Sequence, residues 1–213
     1  MQKPDQWKAM IDRWTKQRSG CAVEWESDDP QSLFVELACR YADVTGNALY
    51  VDCLDDDCGE PECINGASLA TIDGEYDLIC VCGEAASFED LARVLSAGGV
   101  LIGVTSGELH YIETQEIFGR GINWPPARPV RFAIPDAVTA AGLELVFFVE
   151  YFGVNYCPDI DSFARFLLSS QTVSDFDAAK DAVFVREIQR KLASERGIRN
   201  TEHLAVYAVT KPA

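Results

Sequence analysis

The chain has no apolar run that approaches the ~20 residues a helix needs to cross a bilayer. Its first twenty residues, MQKPDQWKAMIDRWTKQRSG, are amphipathic and charged, and they lack the apolar core of a secretory signal. The sequence therefore predicts a soluble, cytoplasmic protein that binds no membrane. With 213 residues, the chain is long enough for one α/β domain and short for two.

Basic residues are scarce in one third of the chain. Residues 21–95 contain 18 Asp and Glu but only two bases, Arg40 and Arg93, whereas the rest contains 16 acids and 16 bases. The whole formal charge of −16 therefore lies in that third, where it would repel the phosphates of a nucleic acid. A cationic ligand, a metal ion or a basic protein would be attracted. The alternative is an acidic surface that serves only solubility or tolerance of high salt.

Cysteine is plentiful, but its pattern is not that of a secreted disulfide framework. Several of the eight cysteines lie inside predicted strands and helices, which favours reduced thiols that pack as small apolar side chains. Cys53, Cys58 and Cys63 have Asp55, Asp56 and Asp57 among them, but they lack C-x-x-C spacing and a nearby histidine. We predict no metal site there. Metal ligation, or a disulfide such as Cys58–Cys63, is the alternative for this loop.

The clearest structural pattern runs from Tyr76 to Thr105. An apolar strand at Asp77–Cys82 precedes a helix at about Phe88–Leu95, a Gly98-Gly99 break and a second apolar strand at Val100–Thr105. Two apolar runs of strand length joined by a helix predict a parallel β-α-β unit that is buried on both faces.

Strands and helices alternate along the rest of the chain. Further strands are predicted at Cys21–Trp25, Ala48–Cys53, Ile64–Leu69 (much reduced), Leu143–Tyr151 and Glu202–Thr210. Helices are predicted at Trp7–Arg18, Pro30–Tyr41, Pro135–Ala141, Asp161–Ser169 and residues 178–196. This alternation predicts an α/β fold with a doubly wound, mostly parallel sheet and ligands at the carboxyl ends of its strands. Residues 1–20 would form a leading helix, and residues 21–213 a single domain.

Three segments carry a family resemblance. YDLICV, LARVLSAGGVLIGV and IPDAVTAAGLELV resemble the FDLVv, arvLrpGGrlv and elraaLeaAGFevv segments of class I S-adenosylmethionine-dependent methyltransferases. The resemblance covers about residues 20–213 and is strongest after Tyr76. It implies a Rossmann-like sheet of the seven-stranded type, whose last two strands, Leu143–Tyr151 and Glu202–Thr210, form an antiparallel hairpin at the sheet edge. It also implies S-adenosylmethionine as cofactor and a small molecule as methyl acceptor.

The family's glycine loop is altered in this alignment. Relatives carry E/D-x-G-x-G-x-G after a strand, and glycine there allows positive φ and close approach of the backbone to the cofactor. Aligned on Glu24, this chain has Glu26, Asp28 and Pro30 at the three glycine positions. Each carboxylate brought to ~4 Å from the cofactor's own carboxylate would cost roughly 4 kcal/mol at an effective dielectric of 20. The alternatives are a different register or a displaced cofactor.

Other cofactor positions match the family better. The resemblance places Asp52, with Cys53 beside it, at the end of the second strand, where an acid accepts hydrogen bonds from the ribose hydroxyls. Asn65, followed by Gly66, stands in place of the aspartate that contacts the adenine amino group, and its amide oxygen accepts the same bond. Cys82 ends the strand that carries the reaction centre. For Asp52, capping of a strand end is the alternative.

The resemblance also indicates where chemistry would occur. Glu84 lies where methyl donor and acceptor meet, and it would orient an amine or act as a base; the alternative is a surface acid. His110 is one of two histidines and has the pKa range of a proton acceptor, although a lone histidine is more often incidental. Tyr111, Trp124 and Tyr156 are predicted to wall the acceptor pocket, with core packing as the alternative for at least one of them.

Two functions follow from these observations. The first is transfer of the methyl group of S-adenosylmethionine to a small molecule, with proximity and orientation supplying most of the catalysis. The second is a non-catalytic methyltransferase-fold module that binds or scaffolds. A homodimer through the leading helix or the terminal hairpin, or a basic protein partner, fits either function.

Overall fold

The computed structural model describes residues 21–26, 30–42, 47–52, 63–64, 66–83, 86–126, 128–170 and 172–213. The strands are β1 Ala22–Trp25, β2 Ala48–Val51, β3 Cys63–Ile64, β4 Tyr76–Cys82, β5 Leu95–Ser106, β6 Glu144–Cys157, β7 Ala193–Ser194 and β8 Gly197–Thr210. The helices are α1 Pro30–Ala42, α2 Phe88–Val94, α3 Ile112–Phe118, α4 Val130–Ala140, α5 Ile160–Ser170, α6 Ala182–Leu192 and a 3-10 helix at Gly66–Thr71. The predicted leading helix lies outside the described residues.

All eight strands belong to one sheet in the order β1-β6-β8-β5-β4-β2-β3, and the short β7 pairs with β8. The strands from β3 to β5 are parallel, while β8 runs antiparallel to both β5 and β6. The predicted α/β fold with a parallel sheet and an antiparallel C-terminal hairpin is therefore confirmed. The predicted place of that hairpin at the sheet edge is wrong, because β1 pairs with the outer side of β6.

The direction of the chain reverses between β2 and β4. From β2 the chain continues outward to β3, and it then returns to form β4 on the other side of β2. In an open α/β sheet, such a reversal leaves a crevice beyond the carboxyl ends of the two strands, where ligands bind. Asp52 directly follows β2, and Cys82 is the last residue of β4, so both border this crevice.

The predicted position of β1 is wrong. Its residues form a strand as expected, but they pair antiparallel with β6, with Ala22 opposite Tyr156. Four strands separate β1 from β2, which is roughly 24 Å at ~4.8 Å per strand. Because β2 adjoins β4, it is β2 that holds the place of the first strand in a doubly wound sheet. The segment equivalent to the family's glycine loop therefore follows Val51 rather than Trp25.

Helices cover both faces of the sheet. The helix α1 begins at Pro30, a residue that suits the first turn, and its Phe34, Leu37 and Ala38 pack on one face against β4, β5 and β8. The helices α2 and α4 pack on the other face through Leu91, Val94, Ile134 and Val138. A third cluster joins α3, α5 and α6 to the ends of β6 and β8. None of the helices in the described ranges is long and apolar enough to cross a membrane.

Several element boundaries differ from the prediction. The predicted strand at Ile64–Leu69 is mostly the 3-10 helix, with only two residues in β3. Both β6 and β8 extend well beyond their apolar segments, to 14 residues each. The β8 extension, residues 197–201, is mostly polar, whereas the β6 extension, residues 152–157, has Gly153 and Asn155 among apolar residues. The pairing of the two segments with each other keeps them extended. This long β6–β8 ribbon supports the candidate site.

The cysteine prediction needs one correction. Cys21 and Cys157 form a disulfide between the start of β1 and the end of β6, with 4.2 Å between their Cα atoms. Cys39, Cys80 and Cys82 are reduced thiols, as predicted. A sequence separation of 136 residues gives no spacing signal, and only the pairing of β1 with β6 brings the two sulfurs together.

Candidate functional site

The loop from Gly107 to Tyr111 crosses β8 just beyond the end of β5. The backbone N–H of Gly107 donates to the carbonyl of His203 (2.8 Å), and that of Tyr111 donates to the carbonyl of Thr201 (2.8 Å). These two bonds continue the pairing of β5 with β8 past Ser106. They place His110 over β8, at the carboxyl edge of the parallel strands, with β5 between β8 and β4.

His110 is paired with a buried carboxylate. Its Nδ1 lies 3.3 Å from Oε2 of Glu202, and the His110 side chain is 14% exposed, against 2% for that of Glu202. The phenol of Tyr111 donates to Glu202 Oε1 (2.6 Å), and Asn155 Nδ2 donates both to that oxygen (3.1 Å) and to the Tyr111 hydroxyl (2.7 Å). Glu202 is therefore held rigidly, with one oxygen occupied by two donors and the other directed at His110.

The proton on His110 is set by its neighbours. Besides facing Glu202, Nδ1 lies 3.3 Å from the backbone nitrogen of His203. One ring nitrogen cannot accept from this amide and donate to the carboxylate at once. The negative charge on Glu202 favours the proton on Nδ1, since the charge-assisted bond is the stronger of the two. Nε2 then carries the lone pair, which is the form of imidazole that accepts a proton from a substrate.

A second polar group lies on the opposite face of the same strands. His203 follows Glu202 on β8 and so points to the other side of the sheet, where its ring stacks on Phe152 with 4.4 Å between centroids. Its Nε2 lies 3.2 Å from Glu150 Oε1, and its Nδ1 lies 3.8 Å from Glu108 Oε2. Burial lowers the pKa of His203, although Glu108 and Glu150 act in the opposite direction.

The crevice between β2 and β4 is described in part. Asp52 has φ +54° and accepts a bond from Gly66 N through Oδ2 (3.1 Å), so it joins the end of β2 to the segment after β3. Cys82 is buried at the end of β4. Three predicted site residues, Cys53, Asn65 and Glu84, lie outside the described residues, as do Cys58 and the acidic loop around it.

Two predicted cofactor residues are not at the crevice. Glu24 is exposed on β1 and forms an ion pair with Arg196, which lowers the pKa of the Glu24 carboxyl through a side-chain hydrogen bond. Glu26 continues the pairing of β1, since its N–H donates to the carbonyl of Phe152 (2.9 Å). Both assignments are wrong because they followed from treating β1 as the strand beside β4.

The three predicted pocket aromatics are dispersed. Tyr111 is 2% exposed and packs against Phe166 (4.9 Å between centroids). It is therefore a core residue, which was the alternative for at least one of the three aromatics. Tyr156 lies on β6 opposite Ala22, beneath the guanidinium of Arg196 at 4.1 Å, on the side of the sheet away from the crevice. Trp124 is half-buried in the loop before α4.

The sequence reasoning missed most of the partners of His110. Glu202 was assigned to a closing strand, and Asn155 lies in the part of β6 beyond the predicted strand. A signal was present, because Glu202 and His203 begin the predicted strand Glu202–Thr210, whose next residues are mostly apolar, and buried polar residues require partners.

A separate cavity of about 350 Å³ lies between α5 and residues 172–176 and is lined by Ile122, Leu167, Val173 and Phe176 among others. It shares no lining residue with the His110 group.

Comparisons with known proteins agree with the topology. No protein-family model matches the chain, and no curated protein matches it significantly in sequence. Among solved structures, it is similar to a functionally unknown protein from Deinococcus radiodurans R1, with a TM-score of 0.56, 12% identity and coverage of 94% of this chain and 98% of that one. It is also similar to the 4+2 cyclase SpnF, with a TM-score of 0.50, 15% identity and coverage of 98% and 95%.

A Bacillus halodurans C-125 protein proposed to be a methyltransferase matches with a TM-score of 0.47, 14% identity and coverage of 78% and 83%. Identities this low describe a shared fold and no more. Together with the strand order, the two structures with TM-scores of 0.50 and above show a Rossmann-like α/β fold with a mostly parallel sheet. The predicted fold class is thereby confirmed.

Proposed function

We propose that this protein binds S-adenosylmethionine in the crevice between β2 and β4 and transfers its methyl group to a small molecule, with His110 as the general base. The observation that carries the proposal is the His110–Glu202 pair on β8, at the same carboxyl edge of the sheet as that crevice, with β5 and β4 between them. A buried carboxylate that orients an imidazole is a recurrent arrangement for proton abstraction.

The described part of the crevice has two features that suit a bound cofactor, the Asp52 carboxylate and Gly83. Gly83 has φ +98°, and a Cβ built on it would meet no atom of the described residues within 4 Å. With β2 in the place of the first strand, Asp52 stands at the acid that opens the family's glycine loop, and Asn65, which follows β3, stands where relatives carry the acceptor for the ribose hydroxyls. The bound cofactor would supply an electrophilic methyl group; the protein would orient it and exclude water.

His110 would take the acceptor's proton. With Glu202 holding the proton on Nδ1, the lone pair of Nε2 would accept a proton from the acceptor's hydroxyl or amine. The acceptor's oxygen or nitrogen would take the methyl group as the bond from that group to the cofactor's sulfur breaks, which leaves S-adenosylhomocysteine. The Glu202 carboxylate then stabilises the imidazolium. Tyr111 and Asn155 keep that carboxylate in place, so they act as positioning residues and do not contact the substrate.

A binding or scaffolding module is the second candidate. After Asp52, the sequence up to Asn65 contains a single glycine, Gly59, and five acids, which would repel the cofactor's carboxylate. The same fold is found in the structure named a cyclase, and a fold alone does not define an activity. This candidate predicts a stable protein that binds no S-adenosylmethionine.

Calorimetric titration of the untagged protein with S-adenosylmethionine and S-adenosylhomocysteine separates the two candidates. The enzyme requires a Kd in the micromolar range, and Asp52→Asn should weaken it at least tenfold. The variant His110→Asn should bind both ligands as the wild type does, yet fail to form S-adenosylhomocysteine with a panel of small phenols and amines. If no heat of binding is detected at about 1 mM ligand, any affinity is weaker than about −4 kcal/mol. That result would support the binding module instead.

A further inference from the structure

We propose that Glu108, Glu150 and His203 form a binding site for a divalent cation of the Mn²⁺ or Fe²⁺ type. The three residues come from three adjacent positions in the sheet: the loop after β5, the strand β6 and the strand β8. Each offers one ligand atom, and these atoms all lie within 4.8 Å of one another. The site lies on the face of the sheet opposite the His110–Glu202 pair, and it does not depend on methyl transfer.

The hydrogen bonds of His203 define one tautomer. The backbone N–H of Leu109 donates to Nδ1 (3.3 Å), so the ring proton is on Nε2 and is donated to Glu150 Oε1 (3.2 Å). A cation would replace that proton. In an octahedral site with ligands at ~2.1 Å, neighbouring ligand atoms lie about 3.0 Å apart. The observed separation of Nε2 and Oε1 therefore already matches a pair of adjacent metal ligands.

The surroundings hold the imidazole in place. His203 is completely buried and is stacked on Phe152. On its other side is Gly107, where an added Cβ would lie only 2.2 Å from the ring atoms Cε1 and Nδ1. The backbone contact from Leu109 to Nδ1 is the kind of outer interaction that orients metal-binding histidines through their second nitrogen. The ring therefore keeps one orientation before any cation arrives.

The charge of the group is unbalanced. Two carboxylates, 11% and 15% exposed, flank an imidazole whose pKa is lowered by burial. The groups that face them are Arg131 of α4, with 3.9 Å between its Nη1 and Glu150 Oε2, and the backbone N–H of Val130, which donates to Glu108 (3.1 Å). Half of the Arg131 side chain is exposed, so its charge is well screened. A divalent cation would neutralise both carboxylates.

The ligand set defines the class of metal. Two carboxylate oxygens and one imidazole nitrogen bind Mn²⁺ and Fe²⁺, and Zn²⁺ accepts the same ligand types, whereas Cu⁺ requires softer sulfur ligands. Mn²⁺ is the suitable probe because the cysteines of this chain compete poorly for it. Its electron paramagnetic resonance signal also distinguishes bound from free ion.

The test is a Mn²⁺ titration of chelator-treated, untagged protein followed by this resonance. We expect one equivalent to bind and the bound ion to show electron spin-echo modulation from one imidazole nitrogen. Glu150→Gln and Glu108→Gln should each weaken binding at least tenfold, in the range seen for altered metal shells. The control Glu144→Gln, an exposed residue on the same strand, should bind as the wild type does.

Three outcomes would overturn the proposal: no bound Mn²⁺ at about 1 mM metal, binding without nitrogen modulation, or equal weakening by Glu144→Gln. The last two would indicate that the general acidic surface collects the ion. The nitrogen modulation is measured on the wild type, so the proposal stays falsifiable even if a glutamine variant fails to fold. Failure would leave the proposed methyl transfer untouched, because that function is tested by cofactor binding.

Discussion

Replacement of Tyr111 by phenylalanine removes one oxygen atom from the polar network behind His110. The aromatic ring stays packed against Phe166, so the change opens almost no cavity. It removes the donor to Glu202 Oε1 and the acceptor for Asn155 Nδ2. All three residues are at most 2% exposed, so water cannot replace the lost partner.

The magnitude follows from these contacts. A hydrogen bond to a charged group contributes about 1.5–3 kcal/mol. Asn155 still donates to Glu202 Oε1 at 3.1 Å, so the second loss is small. We expect the free energy of unfolding to fall by about 2–3 kcal/mol. With an m-value of about 2 kcal/mol per molar, the midpoint of urea unfolding should fall by about 1–1.5 M.

The matched control is Tyr156→Phe, which removes a hydroxyl from a half-buried ring at the opposite side of the sheet. Its unfolding free energy should stay within about 0.5 kcal/mol of wild type. Circular dichroism in urea at pH 7 measures both variants. If Tyr111→Phe is as stable as the control, then Tyr111 and Glu202 are not bonded as described, and the support for His110 as a base is lost.

Three further predictions concern other parts of the fold. Cys157→Ser should lower stability by about 2–4 kcal/mol and make thermal unfolding insensitive to reductant, and mapping of unreduced wild-type peptides should recover Cys21 linked to Cys157. The pKa of His203 in the folded protein is below its usual 6.5, so as the pH falls the unfolded chain takes up this proton at a higher pH than the folded protein does. The free energy of unfolding should therefore be unaffected by His203 above pH 6.5 and should fall on acidification by up to 1.36 kcal/mol per pH unit. Urea titrations in the presence of chelator should show a smaller slope for His203→Gln. Gly107→Ala should destabilise by about 1–3 kcal/mol through overpacking against the His203 ring, and a melting temperature equal to wild type would contradict that close approach.

The apolar pattern of the sequence was sufficient for much of the fold. The strand at Tyr76–Cys82 and the helix at Phe88–Val94 were predicted to within about two residues, because a β-α-β unit buried on both faces has continuous apolar strands. The helix that begins at Pro30 was equally clear from its start signal and its apolar stripe. His110 was chosen as a candidate base from its residue type and its place after β5, and the structure places it beside the buried Glu202; its role as a base stays a prediction.

Long-range pairing was not encoded in such patterns. A four-residue apolar strand such as Ala22–Trp25 is compatible with any strand partner, so nothing local distinguishes pairing beside β4 from pairing outside β6. The misplacement of Glu24 and Glu26 followed from that, as did the missed Cys21–Cys157 disulfide. The extensions of β6 and β8 were missed because Gly153 and Asn155 interrupt the apolar run of β6 and residues 199–201 of β8 are polar. The backbone bonds that hold this two-stranded ribbon leave no hydrophobic signature.

The sequence by itself thus determined which segments are buried, and with them the α/β class, because burial depends on local hydrophobicity. Only the tertiary structure decided which polar side chains meet at the carboxyl edge. The pairing of the strands brings Glu202 to His110, 92 positions away in the chain, and Glu150 to His203, 53 positions away. Register is a property of two segments together, so neither segment alone contains it.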